Sequence, residues 1–204
     1  MRVAITGAHG AGKSTLARAV SARTGLPVVH GSPMRDPAGM PPAGLDEVDS
    51  VGLLQLTVRR YVERSLEEAR CTTGFLSDGS TLHEWVYATV RLAVGTHPGP
   101  EREEPLPPSA DPVSDVVAGL GREIIHRAVG SYDLWLHLPV EFPLRDGKPP
   151  ISRTFRVLSD RLLLSTLEET GVRVHVLTGT PGQRETALLD LMEDVRAARG
   201  RRSS

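Results

Sequence analysis

The sequence has a single cysteine, Cys71, so an intramolecular disulfide is excluded and a reducing cytoplasmic setting is expected. No stretch approaches the roughly 18 apolar residues that a spanning helix needs, and MRVAIT at the start is too short for a signal-peptide core. Net charge is −1 and aromatics are 4%. Neither a basic footprint nor a base-stacking surface for nucleic acid follows from that. Lysine is nearly absent. Of 24 basic residues only Lys13 and Lys148 are lysines.

One of those two lysines lies in the stretch that organises the chain. Residues Gly7 to Thr15 read GAHGAGKST and satisfy G-x-x-x-x-G-K-[ST], the P-loop pattern, at every fixed position. MRVAIT before it has the β-branched look of a buried parallel strand, and LARAVSART after it reads as a helix. The spacing has a physical basis. Gly7 and Gly12 permit a tight turn, and the backbone N–H groups of Gly7, Ala8, His9, Gly10, Ala11 and Gly12 can then point inward. A helix end behind them supplies about half a positive charge, too little for a polyphosphate. Lys13 is expected to reach the β- and γ-phosphates, Ser14 to place its hydroxyl on Mg²⁺, and Thr15 to reach the α-phosphate. A compact ammonium suits this place better than the planar fork that the chain uses elsewhere. ATP and Mg²⁺ are therefore the expected cofactors.

Strands are predicted over 2–6, 27–30, 71–77, 132–138 and 172–179. Helices are predicted over 13–24, 46–70, 81–95, 113–129, 153–170 and 182–199. Five β-α repeats imply one α/β domain over 1–199, with a five-stranded parallel sheet covered by helices on both faces through right-handed crossovers. Residues 200–204 read as a frayed tail. The 46–70 helix is expected to bury Leu53, Leu54, Val58, Tyr61, Val62, Leu66 and Ala69, with Arg59, Arg60 and Arg64 mostly solvated, although one of the three can reach into the cleft. Cys71 reads as a small core residue at the start of the third strand. Three stretches fall outside these elements: 31–45, Pro-rich 96–112, and a polar lid over 139–156.

Open α/β sheets bind ligands beyond the carboxyl ends of their strands, so residues there are the candidates. Asp78 closes the third strand and can hold Mg²⁺ through water or take the proton of an acceptor hydroxyl; it also reads as a helix cap. His30 closes the second strand and is a substrate candidate, as are Arg35 in the loop after it and Arg145 in the lid. Arg145, Lys148, Arg153 and Arg156 crowd the start of one helix, where cations are mildly unfavourable unless an anion binds. Arg153 and Arg156 are thus candidates to meet a transferring phosphoryl group. In TGTPGQRE, Arg184 can lie flat on an adenine ring. Trp85 and Tyr87 read chiefly as core, and histidines other than His9 and His30 as structural.

With these pieces in place, the chain resembles P-loop small-molecule kinases related to nucleoside-monophosphate, nicotinamide riboside and deoxynucleoside kinases. It looks most like single-domain AAA-type ATP-binding proteins with such a core. FLSDGSTLHEWVYA is similar to that family's strand-Asp-Arg-Ser-helix segment, and YDLWLHLPVEFPLRDGKPPISRTFRVLSDRLL to its strand, lid and long helix. The chain departs at Gly79, which stands where the family commonly has Arg. Glu63-Arg64-Ser65 spells a deoxynucleoside-kinase motif, but there it follows a strand and here it falls inside a helix, so it is set aside. No sensor or arginine-finger segment of a hexameric motor is apparent. The resemblance implies a P-loop NTPase fold and an ATP-dependent phosphotransferase acting on a small-molecule hydroxyl or phosphate, with nucleosides and nucleotides as candidate acceptors and a homodimer as a candidate assembly. Competing expectations are a nucleotide-dependent regulatory ATPase that works through a protein partner, and an inactive nucleotide-binding module.

Overall fold

The computed structural model describes residues 1–30, 48–100, 106–143 and 151–201. Arg35, Arg145 and Lys148, with the whole of the 31–45 loop and residues 144–150 of the lid, lie outside the described residues. In chain order the elements are β1 (Arg2–Thr6), α1 (Lys13–Thr24), β2 (Val28–His30), α2 (Ser50–Arg70), β3 (Phe75–Asp78) and α3 (Leu82–Val94). They continue with α4 (Val113–Ser131), β4 (Leu134–His137), α5 (Arg153–Glu169), β5 (Val174–Val176) and α6 (Pro181–Gly200). Among the described residues no helix is long and apolar enough to cross a membrane.

The five strands form one parallel sheet in the order β2-β3-β1-β4-β5. β1 is central, with Val3, Ala4, Ile5 and Thr6 fully buried, as expected of a parallel strand covered on both faces. Its side chains alternate between two cores. Val3 and Ile5 pack with Leu16 and Val20 of α1 and with Leu188 and Met192 of α6. Ala4 faces the opposite core, built from Leu82 and Val86 of α3, Ile124 of α4, and Leu163 and Leu167 of α5. The result is the expected three-layer α/β arrangement. Because β1 is central, the turn that follows it is flanked by the ends of β3 and β4.

Helix starts follow local chemistry. Ser152 accepts from the N–H of Phe155 at 3.1 Å and so opens α5. Thr180 and Gln183 form a reciprocal capping box at the start of α6, with Pro181 in its first turn. Thr81, by contrast, is the N-cap of α3 but makes no side-chain capping bond.

Two expectations fail. Cys71 does not begin a strand; it ends α2, half-buried, and β3 starts at Phe75 after a turn. The face that α2 buries is also different. Val58, Val62 and Leu66 are 39%, 44% and 54% exposed, whereas Thr57, Arg60, Arg64 and Glu68 are buried. These four occupy one face at three- and four-residue spacing. That face meets the polar end of β3 and the start of α3, where Ser77 and Glu84 supply partners that an apolar stripe could not use.

Candidate active site

The turn between β1 and α1 has the conformation that the motif requires. Gly7, Gly10 and Gly12 all have positive φ, at 134°, 75° and 99°. At Gly7 the need is absolute, since a Cβ there would stand 2.4 Å from the Leu138 carbonyl oxygen at the end of β4. Gly12 is the N-cap of α1 and offers no side-chain acceptor, so the N–H groups of the first turn face outward for an anion. Lys13 Nζ donates to the carbonyls of Gly7 and Ala8, each at 2.8 Å. Burial pushes its pKa down to about 8; Arg64 and Arg156 act in the same direction, against Asp78 and Asp160. Ser14 and Thr15 follow in the first turn of α1. Burial, Lys13 and Arg156 also lower the pKa of His9.

Register brings the strand-end candidates together. His30 of β2 and Ile5 of β1 both lie opposite Asp78 of β3. His30 Nδ1 is 3.2 Å from Asp78 Oδ2. Directly after β3, the Gly79 N–H donates to the Ile5 carbonyl at 2.9 Å, which locks the segment to β1. His83 then reaches the P-loop. Its Nδ1 accepts from the Ser80 N–H at 3.0 Å, so its proton sits on Nε2 and is donated to the Gly7 carbonyl, also at 3.0 Å. Burial, with Lys13 and Arg64 nearby, holds the His83 pKa well below the ordinary histidine value and keeps the ring neutral.

α2 and α3 supply a buried ionic cluster beside this point. Arg60 Nη2 is 2.8 Å from Glu84 Oε2, and Arg64 Nη2 is 3.8 Å from Glu84 Oε1. Arg60 and Glu84 line a narrow recess of about 40 Å³ together with Tyr87, Phe155, Ile151 and His9 of the P-loop. On the other side of the P-loop a larger recess, about 280 Å³, is lined by Gly12, Thr15, Phe142, Pro181 and Arg184 among others. There Arg184 donates to the Ala11 carbonyl at 2.8 Å and to Glu141 Oε2 at 2.6 Å. Its guanidinium also stacks 5.0 Å from the Phe142 ring centroid. From α5, Arg156 is buried and donates to the Phe142 carbonyl at 3.1 Å, whereas Arg153 is exposed. Asp160, one turn beyond Arg156, accepts from the Ala8 N–H at 3.1 Å and lies 3.3 Å from His137 Nε2.

Lys13, Asp78, His30, His9, Arg156 and Arg184 therefore gather at one end of the sheet around β1. His83, Glu84, Glu141 and Asp160 join them, although the sequence reading gave them no role at the site, and so do Arg60 and Arg64, where it had left room for a single α2 arginine in the cleft. Asp160 follows Arg156 by four residues on one helix face, a signal that was legible. The α2 arginines carried a weaker one, in the polar positions 57, 60, 64 and 68 at helical spacing.

A family model described as an AAA domain matches residues 2–184. The chain belongs to that AAA domain family. No curated protein matches its sequence. Among solved structures it is similar to deoxyadenosine kinase from M. mycoides. The form with bound dATP matches with a TM-score of 0.64 at 13% identity, covering 95% of this chain and 100% of the other. The form with the products dCMP and a flexible dCDP matches with the same score and coverage at 11% identity. The form with bound dCTP gives 0.58 at 13% identity. This AAA domain protein thus has a P-loop core with the nucleoside-kinase fold.

Proposed function

We propose that this AAA domain protein is an ATP-dependent phosphotransferase that moves the γ-phosphoryl of Mg-ATP to a small-molecule acceptor of the nucleoside or nucleotide class. The observation that carries this reading is the pair of recesses, one on each side of the P-loop. An ATPase needs one bound organic molecule, whereas a transferase must seat two with the P-loop between them. The Phe142–Arg184 side offers a flat cation over a ring, suited to a purine. The Tyr87–Phe155 side is narrow, at about 40 Å³, and would have to widen to seat an acceptor; its aromatic walls and the buried Arg60–Glu84 pair suit a molecule with an apolar ring and polar edges. The likeness to a deoxyadenosine kinase agrees with such an acceptor.

In this reading Lys13 leaves the carbonyls of Gly7 and Ala8 to grip the β- and γ-phosphates, while P-loop N–H groups other than those of Ala8, held by Asp160, and Ala11, held by the Ala8 carbonyl, bind the remaining oxygens. Arg156 meets the transferring group from α5, and exposed Arg153 would have to swing inward to help. Asp78, oriented by His30, accepts the proton of the acceptor hydroxyl as the new O–P bond forms and the bond from the γ-phosphorus to the bridging oxygen breaks, with ADP as the leaving group. The Ser14 hydroxyl and the Asp78 carboxylate are hard oxygen donors at the same strand ends, which fits Mg²⁺; the ion would neutralise charge developing on the phosphates. The test is incubation with Mg-ATP and a panel of nucleosides and nucleotides, with mass detection of products. A phosphorylated acceptor is expected. Slow ATP hydrolysis that no acceptor stimulates would instead favour the regulatory ATPase.

A further inference from the structure

Arg64 is a guanidinium sealed inside the protein, 3% exposed, at the junction of β3 and α3. Its Nη1 donates to Ser77 Oγ at 3.1 Å and to the Asp78 carbonyl at 3.3 Å. Its charge is poorly matched. Glu84 is claimed at 2.8 Å by Arg60 and stands 3.8 Å from Arg64. Glu68, the other nearby carboxyl, accepts from Ser77 Oγ and from the Tyr132 hydroxyl, and burial raises its pKa. Arg64 Nε has no hydrogen-bond partner among the described residues. A buried cation without a matched carboxylate is costly, and a bound anion would relieve it.

The space that Arg64 occupies is informative. A Cβ on Gly79 would stand 3.3 Å from Arg64 Nη2 and 3.5 Å from His83 Nδ1. The φ of Gly79 is +106°, which also disfavours any other residue there. A large side chain at position 79 and the Arg64 guanidinium therefore compete for one volume. Helix α2 delivers its cation to the place from which the β3–α3 junction would otherwise project its own.

We propose that Arg64 is a positioning residue for phosphoryl transfer: from α2 it fixes the Asp78 peptide and adds positive charge beside the P-loop, in the volume that a side chain at position 79 would take. This rests on the phosphotransferase reading given above. Arg64 Nη2 and His83 Nδ1 flank the same point at Gly79, and His83 Nε2 donates to the Gly7 carbonyl, so the guanidinium stands beside the P-loop.

The experiment compares the full-length wild type with Arg64→Met and Arg64→Lys, using folded protein judged by thermal melting. Calorimetric titration at pH 7 gives the affinity for Mg-ATP. Arg64→Met should weaken it by about threefold or more, and Arg64→Lys should leave it near the wild-type value. With an acceptor from the panel, Arg64→Met should lower kcat by about tenfold or more while the acceptor KM changes by less than about threefold, and Arg64→Lys should recover part of the loss. An unchanged affinity together with an unchanged kcat overturns the proposal. Should Arg64→Met fail to fold, Gly79→Ala pushes on the guanidinium without removing its charge; it should lower kcat and leave the Mg-ATP affinity near the wild-type value, and an unaltered kcat overturns the idea equally. A wild type that phosphorylates no acceptor counts against the phosphotransferase reading, and the Mg-ATP affinity of Arg64→Met still decides the role of Arg64.

Discussion

Affinity for Mg-ATP should fall steeply as pH rises through the region where Lys13 loses its proton. In the free protein burial holds that ammonium at about 8, well below an ordinary lysine. A triphosphate would supply the negative charge that desolvation denies it, and so lift the bound value back above the working range. Protonated Lys13 falls from about nine-tenths of the population at pH 7 to about one-tenth at pH 9, a change of about tenfold in affinity or about 1.4 kcal/mol. Mg-ATP itself gains or loses no proton in that interval. Binding at pH 9 should therefore take up close to one proton, read as a dependence of calorimetric enthalpy on the ionisation enthalpy of the buffer, and binding at pH 7 almost none. Unfolding cannot mimic the effect through this group. The unfolded chain holds the Lys13 proton more tightly than the folded one, so this residue's contribution to stability grows as pH rises from 8 to 10. Equal affinity at pH 7 and pH 9 without proton uptake would refute the claim that Lys13 grips the phosphates.

Glu84→Gln should destabilise the fold by about 3 kcal/mol or more, because it strands Arg60 without its carboxylate and removes from Arg64 its more distant one; a chemical-denaturation midpoint reads this directly. Gly7→Ala should cost about 1–3 kcal/mol from a methyl placed 2.4 Å from the Leu138 oxygen at a positive φ, and should abolish Mg-ATP binding with Lys13 intact. Asp78→Asn should lower kcat by about a hundredfold or more and, because Asp78 also helps to hold Mg²⁺, raise the KM for Mg-ATP by a smaller factor, so a mutant with normal turnover would remove Asp78 from proton transfer.

What could be read from the sequence was local. The P-loop is nine consecutive residues, and its turn is set by glycines whose positions are part of the pattern. The pairing of His30 with Asp78 was partly legible, since both end strands of one parallel sheet and such ends converge. The other contacts join residues far apart in the chain. His83 reaches Gly7, Arg184 reaches Ala11 and Asp160 reaches Ala8, and nothing near any of these residues announces its partner. The α2 helix shows why periodicity alone misled. Its existence and length followed from apolar spacing, but its orientation was decided by Glu84 and Ser77, which lie on other elements. An apolar stripe marks the buried face only where the neighbouring surface is apolar, and α2 rests on the polar junction of β3 and α3.

The Gly7 carbonyl explains how Lys13 can serve a nucleotide at little cost to the loop. In the structure this oxygen accepts from Lys13 Nζ and from His83 Nε2. If Lys13 were its sole donor, swinging the ammonium onto a phosphate would leave a carbonyl unsatisfied at the centre of the site, a loss of about 1–3 kcal/mol set against each binding event. His83 removes that penalty for Gly7, and it does so at any working pH because burial keeps it neutral with its proton on Nε2. The tautomer depends on the Ser80 N–H, and Ser80 follows Asp78 and Gly79 directly. The β3–α3 junction that presents Asp78 is therefore the same segment that braces the P-loop, so a displacement at one is felt at the other through a single imidazole.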